Sequence, residues 1–268
     1  MRTIIFLFNF FLLSTLAFTQ TGWYNLNSGT GRRLNNLYFI DANTGWVVGD
    51  SIVLKTTNGG SAWTVQTLPA QTALRSVHFL NASTGFISGD INPTIGASLY
   101  IFKTTNGGNN WVTVNYSSPA TFGHAYSYDI FAANESMIFK TYSVYESFSS
   151  YGSIHKSTNG GINFTSVLFP SGPTKGLSFI NPQTGWTTSL SSADVPPKVF
   201  KIYRTTNEGS NWSVIYRDSQ NNFNTMEGRS IQFLNSNTGY VLGGAAGKIL
   251  VVRTTNGCLL YTSPSPRD

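Results

Sequence analysis

The stretch Lys55-Thr56-Thr57-Asn58-Gly59-Gly60-Ser61-Ala62-Trp63 decides the fold, because versions of it recur along the whole chain. Further copies begin at Lys103, Lys156, Arg204 and Arg253, and the fifth copy stops matching after Gly257. The basic residues that open the copies are 48, 53, 48 and 49 positions apart. A period of this length predicts one supersecondary unit that is repeated along the chain.

Each repeat contains four short runs that are rich in β-branched and aromatic residues. In the first repeat they are Leu37-Tyr38-Phe39-Ile40, Trp46-Val47-Val48-Gly49, Ile52-Val53-Leu54-Lys55 and Trp63-Thr64-Val65-Gln66. Turns containing Gly and Asn separate the runs, so each unit is predicted to be an antiparallel meander. Four-stranded sheets that recur every ~40–50 residues are typical of propeller blades.

The sequence therefore predicts an all-β fold, a β-propeller of four-stranded antiparallel blades. Residues 20–257 hold about four full blades and a partial fifth, and we expect about six to eight blades in the full-length protein. No 3.6-residue apolar period appears outside the N-terminus, so almost no helix is expected. The third unit is degenerate, because the run from Phe131 to Lys140 lacks the Gly-aromatic signal.

The recurring turn also carries a family resemblance. Thr56-x-Asn58-x-Gly60-x-x-Trp63 resembles the Asp-box, or bacterial-neuraminidase, repeat, with Asn where Asp is commoner. With the Thr-Gly-Trp strand and the 48-residue spacing, the unit is most similar to propellers of the photosystem II assembly-factor type. The resemblance implies a structural hairpin, distant from any active site, at these box residues: Thr56, Asn58, Gly60, Trp63, Thr104, Asn106, Gly108, Trp111, Ser157, Asn159, Gly161, Phe164, Thr205, Asn207, Gly209 and Trp212.

The N-terminus has the layout of a secretory signal peptide over residues 1–19. Arg2 precedes an apolar run from Ile4 to Leu16, and Ala17-Phe18-Thr19 ends it. We therefore expect a bacterial protein exported through the Sec route to the periplasm, the cell surface or the medium. No later apolar run approaches ~20 residues, so no membrane span is predicted. Trp23-Tyr24-Asn25-Leu26 resembles the fourth strand of a unit, which in propellers often completes the last blade.

The last eleven residues, 258–268, break the fifth copy in mid-motif. They match the translation of a transposase-type sequencing adapter, and we expect them to be non-native. The single cysteine, Cys258, lies in this tail. The rest of the chain therefore offers no disulfide, thiol nucleophile or Cys-based metal site.

Charge is scarce in this chain. Its 17 Lys and Arg and 11 Asp and Glu give a net charge of +6, and 10% of its residues are charged, against roughly 25% in average domains. There is no basic run and no known nucleic-acid motif, so nucleic acid is not an expected partner.

Ligand binding is expected on the face that carries the loops between blades and those between the second and third strands. Three of these loops are long, at residues 91–98, 142–153 and 189–197, and variable loops on a fixed scaffold often carry recognition. Arg33, Arg75, Lys175 and Arg229 stand near the start of innermost strands, where a ring of cations would attract anions. The alternative is that they are isolated surface charges. The insert with Tyr142, Tyr145, Phe148, Tyr151 and Glu146 could stack on sugars or peptides, or fold over its own blade.

The sequence contains few residues that would support an enzymatic function. A sialidase needs three arginines, for which Arg75, Arg229 and Arg32 or Arg33 are candidates, but Glu146 and Glu227 lack a well-placed Tyr. His78, His124 and His155 have no metal-ligand spacing, and neither metal nor cofactor is predicted. The resemblance to assembly-factor propellers implies a non-enzymatic module that binds or assembles protein or glycan ligands, and we expect it to be secreted and monomeric. The alternative is a sialidase-like or other glycoside hydrolase with part of its active site in further blades.

Overall fold

The computed structural model describes residues 22, 25–69, 72–91, 98–117, 124–145, 150–169, 172–190, 199–217, 227–245 and 248–257. Within these ranges every regular element is a β-strand, and none of them forms a helix suited to crossing a membrane. The predicted signal peptide, most of the long loops and the eleven-residue tail lie outside the described residues.

In the part of the chain that the structure describes, nineteen strands form five sheets, and each sheet consists of consecutive strands paired antiparallel. Blade 1 contains β1 (Leu34–Phe39), β2 (Gly45–Gly49), β3 (Ile52–Thr56) and β4 (Thr64–Gln66). Blade 2 contains β5 (Ala73–Phe79), β6 (Gly85–Ile91), β7 (Ser98–Thr104) and β8 (Val112–Ser117). Blade 3 contains β9 (His124–Ala132), β10 (Ile138–Tyr145), β11 (Ser150–Ser157) and β12 (Thr165–Phe169).

Blade 4 contains β13 (Thr174–Phe179), β14 (Gly185–Leu190), β15 (Phe200–Thr205) and β16 (Ser213–Arg217). Blade 5 contains β17 (Glu227–Phe233), β18 (Gly239–Ala245) and β19 (Lys248–Thr254). The first strands of neighbouring blades contact one another in the order β1, β5, β9, β13 and β17. First strands are therefore innermost, and the predicted all-β propeller with four full blades and a partial fifth is confirmed.

The box turn is held by its own side chains. The Thr56 hydroxyl accepts a hydrogen bond from the Gly60 N–H at 2.9 Å, and the Asn58 carboxamide oxygen accepts one from the Ala62 N–H at 2.9 Å. Gly59 and Gly60 have φ of 68° and 88°, in the left-handed region that glycine enters without strain. The same bonds recur in the copies that begin at Lys103, Lys156 and Arg204. Local chemistry thus explains why the turn repeats.

A phenylalanine and a glycine pack together inside each regular blade. Phe79 pairs with Gly85 across β5 and β6, and a Cβ on residue 85 would lie 2.5 Å from the phenyl ring. The ring of Phe79 also stacks on Trp46 of blade 1, with centroids 3.5 Å apart. Glycine is needed beside the phenylalanine, and the phenylalanine joins the blade to its neighbour.

Blade 3 keeps this geometry, but its small residue lies on the first strand and its large residue on the second. Ala132 and Ile138 occupy the register positions that phenylalanine and glycine hold in the other four blades. Both are buried and pack against Phe86 of blade 2. Phe139 then stands at the position of Trp46 and stacks on Phe179 of blade 4 at 4.4 Å. The third unit is therefore degenerate in sequence but regular in structure.

The Tyr-rich insert differs from the sequence expectation. Residues 142–153 were expected to form a long loop, but β10 runs to Tyr145 and β11 starts at Ser150. Tyr142 and Val144 are buried, and Tyr142 packs edge-on to His155 at 4.6 Å. Every residue of β10 from Ile138 to Val144 is buried, so both faces of this strand are covered and the hairpin extends beyond the expected start of the loop.

Candidate functional site at the axial cavity

The starts of the five innermost strands surround one cavity on the axis, with a volume of about 410 Å³. Its walls come from all five blades. The lining residues are Asn35, Asn36, Arg75, Tyr126, Ser127, Tyr128, Asp129, Lys175 and Ser230. This lining is polar and aromatic, whereas the interfaces between blades are apolar.

A bulge in each innermost strand helps to place these side chains. The antiparallel register shifts between Leu34 and Asn36 in β1, and between Leu74 and Ser76 in β5. It shifts again in β13 around Lys175 and in β17 around Arg229, and β9 has a shift opposite residues 140–142. A bulge leaves one residue out of the ladder and re-aims its side chain. The skipped residues include Asn35 and Arg75, both in the cavity wall.

Arg75 is fixed by a bidentate ion pair. Its Nε and Nη2 donate hydrogen bonds to the two carboxylate oxygens of Asp90 at 2.8 and 2.9 Å. The Asp90 side chain is fully buried, and the Ser127 N–H also donates to it at 3.2 Å. The hydrogen bond to Asp90 raises the pKa of Arg75. The guanidinium is thus held in one orientation through its Nε and Nη2.

A group of tyrosines from blade 3 separates Arg75 from Lys175. The Arg75 Cζ lies 6.0 Å from the ring centroid of Tyr126, and the Lys175 Nζ lies 4.9 Å from that of Tyr128. The Tyr128 and Tyr145 hydroxyls are 3.1 Å apart, and Tyr145 also meets Tyr126 edge-on. Two cations from blades 2 and 4 thus flank an aromatic wall from blade 3.

Asp129 joins three blades at the cavity wall. Its carboxylate accepts hydrogen bonds from the Ser76 hydroxyl of blade 2 at 2.7 Å and from the Leu177 N–H of blade 4 at 3.1 Å. The Ile130 N–H of its own strand donates a third at 3.0 Å. Burial raises the pKa of this carboxyl group. The hydrogen bonds tie the innermost strands together, which is a structural use of an acid in the cavity.

The four predicted binding residues separate into different groups. Arg75 and Lys175 line the cavity together. Arg33 does not: it forms a 3.4 Å ion pair with Asp50, with both side chains largely exposed. The register places Asn35, not Arg33, at the position equivalent to Arg75. Arg229 lies in β17 beside a cavity residue, and its side chain is outside the described residues, so a ligand-binding role for these cations stays a prediction.

Sequence reasoning missed Tyr126, Tyr128 and Asp90 as parts of this site. Tyr126 and Tyr128 alternate along β9, and a period of two puts both on one face of a strand. That spacing was a usable signal. Asp90 showed no such signal in the sequence. Its contact with Arg75 depends on the register of β6 against β5, which the sequence of one strand does not reveal.

Catalytic groups are scarce among the described residues. No cluster of His, Cys, Asp and Glu there could hold a metal ion. The two carboxylates of the cavity region, Asp90 and Asp129, are both engaged in hydrogen bonds within the fold. Glu146 and the side chain of Glu227, the acids considered from the sequence, lie outside the described residues.

A family model described as photosynthesis system II assembly factor YCF48 matches residues 13–170, more than half of the chain. The chain belongs to this family. None of the curated proteins matches it. Among solved structures, a mutant of the α-L-arabinofuranosidase Arb93A from Fusarium graminearum, in complex with an iminosugar inhibitor, has a TM-score of 0.55 at 12% identity. That match covers 82% of this chain and 78% of the enzyme, and at this identity it shows a shared fold alone.

Two solved YCF48 structures are also similar. YCF48 bound to a D1 peptide is 18% identical with a TM-score of 0.47, covering 87% of this chain and 82% of that one. YCF48 from Cyanidioschyzon merolae is 14% identical with a TM-score of 0.32, covering 85% of this chain and 97% of that one.

Proposed function

We propose that this chain is an exported binding and assembly module that holds a segment of a partner protein at the mouth of the axial cavity. The observation that carries the proposal is that Arg75 and Lys175 lie on either side of the tyrosines of blade 3. Membership of a family described as an assembly factor supports the same function. Export follows from the signal-peptide layout of residues 1–19 and is part of the proposal.

The size and lining of the cavity favour a short segment. Its volume of about 410 Å³ is at the low end for small-ligand sites, roughly 300–1,000 Å³. One or two side chains of a peptide would fill it. The rest of the segment would lie across the face that carries the loops between blades. The two cations suit a carboxylate, and the tyrosine rings offer flat contact with an adaptable hydroxyl.

The hydrogen bonds that Asp90 and Asp129 make within the fold favour a non-enzymatic role over glycoside hydrolysis. A glycosidase needs two carboxyl groups roughly 5–9.5 Å apart that are free to act on the sugar. Asp90 holds Arg75 in place, and Asp129 bridges three blades, so releasing either carboxylate would disrupt the wall of the cavity. Both acids are better explained as parts of the scaffold.

Binding of residues 20–257 to a peptide array and to a glycan array tests the proposal. The D1 peptide that a solved YCF48 holds is one of the peptide probes. We expect binding to peptides with acidic side chains and weaker binding at high salt, because exposed charges are screened. Lys175→Met should weaken binding about tenfold, a loss of about 1.4 kcal/mol.

Arg33→Gln is the matched control, since it removes one positive charge from a side chain outside the cavity. It should change the affinity by less than about twofold, in line with the small effect of exposed charges. Equal losses in Lys175→Met and Arg33→Gln would refute the cavity as the site. Glycan binding accompanied by sugar release would refute the non-enzymatic role.

A further inference from the structure

Three polar side chains point into the interface between blades 2 and 3. Phe86 of β6 and Ile138 of β10 pack together there, so the residues two positions further along each strand face the same interface. These residues are Ser88 and Lys140. The strand register pairs Lys140 with His155 of β11, which puts both side chains on one face of blade 3. The interface therefore holds a hydroxyl, an ammonium and an imidazole group.

These groups are closed off from water. Lys140 is 1% exposed and Ser88 is 0% exposed. The Ser88 Oγ, the Lys140 Nζ and the His155 Nδ1 are all buried, and none of them has a hydrogen-bond partner within the described ranges. None of the three residues lines the axial cavity. Buried polar atoms in folded proteins nearly always have a partner, and an internal water or ion takes that place where no protein group does.

The interface between blades 1 and 2 has apolar side chains at the same three positions. By register, Ser88, Lys140 and His155 are equivalent to Val48, Ile87 and Phe102. All three apolar residues belong to one buried cluster. Between blades 2 and 3, hydrogen-bonding groups thus replace this whole apolar set. Because an unsatisfied polar group costs stability in the interior, a change of all three together indicates something that they bind in common.

The interface between blades 3 and 4 shows how main-chain groups can satisfy polar side chains at these positions. Thr141 and Thr187 stand at the positions of the serine and the lysine. The Thr141 hydroxyl donates a hydrogen bond to the Lys175 carbonyl oxygen at 2.8 Å, and the Thr187 hydroxyl donates one to the Gly176 carbonyl oxygen at 2.7 Å. The serine and the lysine between blades 2 and 3 have no such carbonyl group among the residues described.

The chemistry of the three groups selects an anion. A lysine ammonium is only a donor, and a hydroxyl can donate one hydrogen bond. Burial, and then the charge of Lys140, lowers the pKa of His155 from 6.5 to about 3, so the imidazole is neutral at pH 7 and can donate from Nδ1. Lys140 takes part in none of the ion pairs of the described residues. An anion would accept all three hydrogen bonds and balance the buried charge, whereas a water molecule would leave that charge uncompensated.

We propose that the interface between blades 2 and 3 binds a small monovalent anion of the size of chloride or bromide, held by the Lys140 Nζ, the Ser88 Oγ and the His155 Nδ1. Aromatic rings border the site. The centroid of the Phe164 ring lies 4.5 Å from Nζ, and Tyr142 packs edge-on to the imidazole at 4.6 Å. One lysine balances one negative charge, so sulfate and phosphate are disfavoured there. The bound anion joins blade 3 to blade 2.

Thermal unfolding of the purified protein in sodium bromide tests the proposal. An anion that binds only the folded state should raise the Tm by about 3–6 °C at ten times its Kd. General salt effects act on every variant, so the quantity to compare is the Tm shift of the wild type against that of Lys140→Met. Lys140→Met should show only the general effect, because it supplies no charge. Ser88→Ala should weaken bromide binding about fivefold, through the loss of one hydrogen bond.

Lys103→Met is the matched control, because Lys103 also lies over a phenyl ring, at 5.5 Å, but keeps part of its surface in water. It should retain the full bromide effect. Equal shifts in the wild type and Lys140→Met would overturn the proposal. The absence of a shift in either would also overturn it, since it would identify a bound water only. Crystals of the wild type grown in bromide should give an anomalous peak within hydrogen-bonding distance of the Lys140 Nζ, and peaks only elsewhere would refute the assignment.

Discussion

A buried lysine between blades 2 and 3 gives the sharpest stability prediction. Lys140 is 1% exposed, and its Nζ has no hydrogen-bond partner among the described residues. Its register partner on β11 is His155, whereas blade 1 has Val47 and Leu54 at these two positions. The Nζ lies 4.5 Å from the ring centroid of Phe164. Lys140→Met should therefore stabilise the protein, because it replaces an unpaired buried charge by an apolar chain of similar length.

The magnitude follows from the pKa. Burial lowers the pKa of Lys140 from 10.5 to about 8. At about 1.36 kcal/mol per pH unit, holding the proton in the folded state costs about 3 kcal/mol at neutral pH. The cation–π contact with Phe164 is lost in the variant, which removes about 0.5–2 kcal/mol of stabilisation. Lys140→Met should then raise the free energy of unfolding at pH 7 by about 1–3 kcal/mol.

The pH dependence of this gain has a definite sign. Between pH 8 and pH 10.5 the unfolded chain holds the lysine proton and the folded chain has lost it. The free energy of unfolding of the wild type therefore rises with pH across this window. The variant has no such group, so its advantage over the wild type should be full below pH 8 and should shrink towards pH 10.5.

Urea denaturation followed by tryptophan fluorescence at pH 7 and pH 10 measures both quantities. Lys103→Met is the control, since Lys103 also lies over a ring, that of Phe86 at 5.5 Å, but keeps part of its surface in water. The control should change stability by less than about 1 kcal/mol. A Lys140→Met protein that is less stable than the wild type at pH 7, or a gain that does not depend on pH, would refute the reasoning.

Three further predictions concern other parts of the structure, and each is checked by urea denaturation. Asp90→Asn should lower the free energy of unfolding by about 2–3 kcal/mol, because it breaks a largely buried bidentate pair, whereas Asp50→Asn should cost less than about 1 kcal/mol. Equal costs would contradict this assignment. Gly85→Ala should destabilise by about 1–3 kcal/mol through its clash with a phenyl ring, and Gly31→Ala, with no atom within 4 Å, should not destabilise. Burial lowers the pKa of His78 from 6.5 to about 4, so stability should fall as pH drops from 6.5 to 4, and His78→Phe should flatten that fall. An unchanged pH profile would argue against it.

The sequence predicted the blades well because their determinants are local. The hydrogen bonds of the box turn join residues two to four apart, and the motif therefore carries its own geometry. The strand runs are rich in β-branched and aromatic residues and are bounded by Gly and Asn turns, which a short window also reveals. The recurrence of the motif then marked the blade boundaries.

Blade 3 shows where local reasoning stops. The Gly-aromatic signal is missing there because Ala132 and Ile138 exchange the two volumes that phenylalanine and glycine fill elsewhere. A sequence motif specifies each position separately, whereas packing in the core constrains the summed volume of the two cross-strand residues. The exchange becomes visible only when the cross-strand partner is known.

The candidate site depends on a feature that the motif does not report. The bulges of the innermost strands shift the count along each strand, so Asn35 rather than Arg33 matches Arg75. A bulged residue is left out of the antiparallel ladder, and its side chain can change with little effect on strand pairing. The box turns and interblade rings, by contrast, tolerate little change. The lining of the axial cavity can therefore vary among propellers with the same repeat, except where a side chain such as Arg75 also pairs with a buried carboxylate.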